Sequence, residues 1–166
     1  MSFFGAVFAA LTMYWQWSSS GVALAVPFIA FAAIGLAAAH VVRLPGSGIT
    51  PSDKVERAIM WSSIAEGVGL FLAANIVMNL HHPELLLPAM ALVVGLHFLP
   101  IAYSASFRPF YILGAALIVS GIAGFILGAP IGGTVAGWMV AVGLWVAAAL
   151  AVRRDWRAKS GIVRAI

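Results

Sequence analysis

Three side chains within long apolar stretches of this chain can exchange protons or hold a ligand: Glu66, His97 and His40. Ionisable groups are costly in hydrocarbon and mark functional sites by default there. Glu66 lies nine residues beyond Arg57, ~13 Å along a helix. His97 lies eleven residues before Arg108, ~16 Å along a helix that runs the opposite way. The two therefore reach similar depths. A carboxyl beside an imidazole can relay protons, because histidine titrates near neutrality. His40, three residues before Arg43, sits nearer an interface. With it the set contains ligand types that suit a metal. No H-E-x-x-H spacing is present, so no metal or other cofactor is assigned. The same pair also suits a plain hydrogen bond between helices, or a Glu66 that stays protonated.

Other polar residues surround these. Ser62 and Ser63 share one side of a helix with Glu66, and Gly69 and Ala73 continue it as a track of small residues. Asn75 and Asn79 fall one turn apart on roughly the other side. Pro100 follows His97 closely and can free a helix carbonyl, as can Pro88. The run His81-His82-Pro83-Glu84 reads as a turn. It could bind a metal or sense pH, but loop histidines are usually just solvated.

The elements that must position these groups follow from composition. The chain has 166 residues, 63% of them hydrophobic and 8% charged, with a mean hydropathy of +1.07. An average soluble domain is about 25% charged. Long apolar runs fill most of the length, which leaves one membrane domain and no room for a soluble one. Polar interruptions divide it into six segments: Phe3–Trp17, Val22–Val42, Ala58–Leu80, Leu85–Tyr103, Phe110–Leu127 and Thr134–Val152. None alternates in polarity as a barrel strand does. The expectation is an all-α, polytopic transmembrane bundle of six helices. Five is the alternative, because the first segment reaches only ~22 Å of a ~30 Å core. The start of the chain has no basic run before its first apolar stretch and reads as part of the mature protein.

All nine basic residues fall on one side of the alternating thread. They are Arg43, Lys54 and Arg57, then Arg108, then Arg153, Arg154, Arg157, Lys159 and Arg164 in a basic tail over 153–166. The positive-inside rule makes that side cytoplasmic, with both termini inside. This distribution points to the bilayer as partner and away from nucleic acid. Thr50-Pro51-Ser52-Asp53, after the Leu44–Gly48 loop, reads as a helix start capped by Thr50, with Asp53 and Arg57 placed to pair. With no cysteine, disulfides, thiolate metal sites and cysteine nucleophiles are excluded.

Small residues recur every fourth position in the last two segments: Ala116, Ser120, Gly124 and Gly128, then Gly133, Gly137 and Ala141. Such tracks allow close helix approach. They predict that segments five and six pack on each other, or else a homo-oligomer face.

Three runs and one residue carry a resemblance: Ser63-Ile64-Ala65-Glu66-Gly67, Leu85-Leu86-Leu87-Pro88-Ala89, Gly95-Leu96-His97-Phe98-Leu99-Pro100, and Asn75. Through them the stretch from Met60 to Leu113 resembles a group of small, uncharacterised bacterial multi-pass membrane proteins. The resemblance implies a bacterial cytoplasmic membrane and a shared role for Glu66 and His97, and it brings no activity. Three function classes follow from the sequence. The first is a small-solute or proton-coupled transporter or channel-like protein. The second is a structural, partner-binding or lipid-binding protein. The third, an intramembrane enzyme, lacks a visible nucleophile–base set.

Overall fold

The computed structural model describes residues 1–46 and 50–160. Ser47 and Gly48 of the expected loop, and Arg164 of the expected tail, lie outside the described residues. All regular structure described is helical: α1 Ser2–Trp17, α2 Pro27–Arg43, α3 Asp53–Asn79, α4 Leu86–Ala105, α5 Arg108–Leu127 and α6 Ile131–Lys159. Short 3-10 turns at Gly21–Ala25 and Pro83–Leu85 lead into α2 and α4.

Five stretches are long and apolar enough to cross a membrane: Gly21–Arg43, Asp53–Asn79, Pro83–Ala105, Arg108–Leu127 and Ile131–Lys159. The sixth helix, α1, has 16 residues and reaches ~24 Å, short of a ~30 Å hydrocarbon core. Its Gly5, Ala6, Phe8, Ala9 and Thr12 are buried, mostly against α6. Outward, by contrast, large apolar side chains such as Ile29, Leu36, Trp61, Phe71 and Ile126 are exposed. An apolar perimeter of this extent suits hydrocarbon as the surrounding medium.

Close packing follows the glycines, with partners that the four-residue spacing does not reveal. On α5 the buried face is Gly114, Leu117, Ser120, Gly121 and Gly124. It packs chiefly on α4. A Cβ built on Gly95 would lie 2.9 Å from the carbonyl oxygen of Gly114, and one on Gly114 would lie 2.9 Å from that of Gly95. Gly124 meets Pro88 of α4 and Gly132 of α6. Ala116 is only half-buried, and Gly128 lies just past the end of α5. On α6, Gly133 and Gly137 face Gln16 and Thr12 of α1, and the Ala141 carbonyl approaches Gly5. The Gly133–Gly137–Ala141 track is therefore a seat for α1. The polar residues of α1 need that seat, since only a missing side chain opposite leaves them room. Thr12 satisfies its hydroxyl by donating to the Phe8 carbonyl at 2.7 Å.

Both ends of the long connection differ from expectation. α3 starts at Asp53 with Ser52, not Thr50, in the cap position and no side-chain cap bond. Arg57 donates through Nε to the Asp53 carbonyl at 3.4 Å, a backbone contact in place of the expected side-chain pair. Residues Arg153 to Lys159 continue α6 as helix. Lys159 Nζ donates to the carbonyls of Val41 and Val42 at 3.0 and 2.9 Å, satisfying groups that the last turn of α2 leaves open.

The Gly95–Gly114 contact generates a stability test. Gly114→Ala is expected to lower the unfolding free energy in detergent by about 1–3 kcal/mol through overpacking. Gly67→Ala, where a Cβ would meet nothing within 4 Å, is expected to be neutral or stabilising by up to ~1 kcal/mol. Equal losses for the two variants would refute this account of the α4–α5 contact.

Candidate functional site

α3 contributes two buried residues to the protein, Ser62 and Val77. Ser62 faces His97 on α4, and Glu66, one turn further along α3, faces the same ring. Ser62 Oγ lies 2.9 Å from His97 Nδ1 and donates to the His97 carbonyl oxygen at 2.7 Å. Glu66 Oε2 lies 3.5 Å from the same Nδ1. The side chains are mostly enclosed, His97 with 9% and Glu66 with 22% of its surface exposed.

A serine hydroxyl has one hydrogen, and here it points at the His97 carbonyl oxygen. With that hydrogen so used, the 2.9 Å contact suits Nδ1–H donating to Oγ, with the Glu66 carboxyl group 3.5 Å from the same nitrogen.

Beside the pair lies a cavity of about 550 Å³ between α1, α3 and α4. The half-buried Glu66 and His97 and the exposed Ser63 are among its lining residues. Thr50, Pro51, Ser52 and Arg154, all exposed, line its mouth. Elsewhere the wall is apolar, with Val55, Ile59, Ile101 and Leu144 among its residues. Phe4 and Phe8 come from α1, Phe98 from α4 and Phe110 from α5.

Of the residues picked out by type and spacing, Glu66, His97, Ser62 and Ser63 come together here. His40 does not: it is exposed on α2, which packs against α1 and α6. Among the described residues no group of three or more His, Asp or Glu could hold a metal ion. Asn75 is exposed and donates to the Phe71 carbonyl of its own helix at 2.7 Å. Asn79 is exposed too, and its carbonyl meets His81 Nδ1. His82 contacts Glu84 at 2.8 Å in the turn. Arg154 and the phenylalanines escaped a reading based on ionisable groups at depth. Their one signal is the closeness in sequence of Phe107, the extended residue that precedes α5, to Phe110 in its first turn.

The fold and site together define an all-helical protein with five helices fit to cross a membrane and an acid–imidazole–hydroxyl cluster beside a cavity. No family model, curated protein or solved structure matches the chain.

The tautomer is directly testable. In protein with 15N-labelled histidine, His97 is expected to show the Nδ1-protonated neutral form. Ser62→Ala should release it into a mixture of both forms. A wild-type His97 protonated only at Nε2 would contradict the hydrogen-bond assignment.

Proposed function

We propose that this is a multi-pass membrane protein that carries a small solute coupled to protons, with Glu66 and His97 as the binding and proton-exchanging pair. The observation that carries the reading is the cavity, which joins that pair to an exposed mouth at Thr50–Ser52 and Arg154. A merely structural pair needs no such access. Intramembrane carboxylate–histidine sets beside a cavity are the usual form of a proton relay.

In the proposed threading all six helices cross the bilayer of a bacterial cytoplasmic membrane, and both termini lie inside. The mouth then opens to the cytoplasm, because it lies among the basic residues Lys54 and Arg154. α3 is the element that moves. Two interhelical hydrogen bonds in a membrane are worth ~0.6 kcal/mol each on average, little more than thermal energy. The α4–α5 contact instead has backbones in direct apposition.

The absence of cysteine makes the test simple, since each introduced thiol is unique. Ser63→Cys in oriented membrane vesicles is expected to react with a membrane-impermeant maleimide mainly from the basic face. It should also react from the opposite face, about tenfold or more slowly if that state is the minor one. Labelling from the basic face alone at every pH from 5 to 9 would remove transport and leave a one-sided binding pocket.

A further inference from the structure

Two aromatic rings of the cavity wall, Phe98 and Phe110, belong to a chain of ring contacts that continues beyond it. The His97 ring meets Phe98 edge-on at 5.2 Å between centroids. Phe98 meets Phe110 at 5.6 Å, and Phe110 meets Phe107 at 4.9 Å. At the mouth, the Arg154 guanidinium sits 4.9 Å from the centre of the Phe107 ring. Phe107 itself lies outside the cavity lining, whose phenylalanine rings are Phe4, Phe8, Phe98 and Phe110. Aromatic faces attract cations, most strongly where water is excluded.

We propose that the cavity takes a bulky lipophilic monocation, with Glu66 as its counter-ion, in exchange for one proton. This rests on the reading of the cavity as the solute site and names the class of solute. A sugar or other polyol would leave hydroxyls against Ile59, Leu70, Val94 and Leu144 without partners. A small metal ion would have to shed its water where too few ligands gather to replace it. An organic anion would meet the Glu66 carboxylate. A cation with its charge spread over aromatic or alkyl groups suits both the apolar wall and the carboxylate.

The groups facing Glu66 set the exchange. His97 comes from α4, Arg154 from α6 at the mouth, and the amino group of Met1 from α1. α5 contributes only Phe110 to the cavity. On α3 itself the nearest ionisable residue toward the mouth is Arg57. Before a cation binds, the exchangeable proton is the one on the Glu66 carboxyl group, with His97 neutral beside it. A cation that reaches the carboxylate makes that proton redundant. The O–H bond breaks and the proton leaves to water at the mouth. One positive charge enters, one leaves, and the charge in the cavity is unchanged.

The test is binding of tetraphenylphosphonium to the purified full chain in detergent, followed by calorimetry in buffers of different ionisation enthalpy. About one proton should be released per cation bound, with affinity rising up to tenfold per pH unit while Glu66 is protonated. Glu66→Gln should abolish binding and Glu66→Asp should retain it. Phe110→Leu should weaken it about two- to fivefold. Equal binding by Glu66→Gln, or binding without proton release, overturns the proposal. Binding of tetraphenylborate in place of the phosphonium also overturns it, while two-faced labelling of Ser63→Cys keeps the transport reading. If neither ion binds and Ser63→Cys is closed to both faces, the cavity reading falls as well.

Discussion

The Ser62–His97 contact is the buried polar link between α3 and α4, beside the close approach of Gly69 to Val93. α3 is 27 residues long, yet only Ser62 and Val77 on it are buried. One of those two anchors is a hydroxyl that spends its hydrogen on a carbonyl and its lone pair on an imidazole. That side chain bears on the separation of α3 from α4, the tautomer of His97 and the approach of Glu66. The hydroxyl must be inside, because its partners would otherwise be unsatisfied in an apolar medium. The apolar remainder of α3 has no comparable reason to be in one place.

This division between tight and loose contacts explains why a cavity exists at all. α4, α5, α6 and α1 approach through glycines, where backbone meets backbone or a polar side chain fills the missing one. Such surfaces interlock at fixed positions where the glycines meet, though a second cavity of about 350 Å³ opens between α5 and α6. α3 brings Gly69 against Val93 but leaves Gly67 with nothing near it. The cavity lies where α3 faces α1, lined by Ile59, Ser63, Glu66 and Leu70 of α3 and Phe4 and Phe8 of α1. The phenylalanines that edge this space pack against one another and do not fill it. The walls of this site differ in burial: α4 and α6 bury eight or more residues each, and α3 buries Ser62 and Val77.

Much of this was legible in the sequence. Hydropathy locates all six helices, with ends off by up to seven residues where charged turns extend α3 and α6. Charge counting places Glu66 and His97 at the same depth before any contact is known. Angle is harder to read. Neighbouring residues on a helix differ by about 100°, so Ser62 and Ser63 are equally plausible until a partner helix selects one. The small-residue tracks rightly announce that α5 packs on α6, where Gly124 meets Gly132, but not every partner. Gly133 and Gly137 declare a close contact without saying that the partner is Thr12 and Gln16 of α1 rather than α5. The tail misled for another reason: charge marks a segment as water-facing but does not end a helix, so α6 continues to Lys159.

The basic residues used to read sidedness are themselves bound into the fold, and this bears on the threading. Lys159 lies at the end of α6 and donates to the last carbonyls of α2. The ends of α2 and α6 are therefore at the same level. Four helices, α3 to α6, separate those two points in the chain. An even number of long antiparallel passes returns the chain to the side from which it left. A thread with one of those helices lying flat, or two merged, would put Lys159 a bilayer's thickness away from Val41. Contact geometry and charge distribution thus reach the same parity by independent routes. One rests on hydrogen bonds between helix ends and the other on the cost of moving arginine and lysine through hydrocarbon. In the proposed orientation their agreement also places Arg154, Thr50 and Ser52 together on the basic face, at the mouth of the cavity that leads to Glu66.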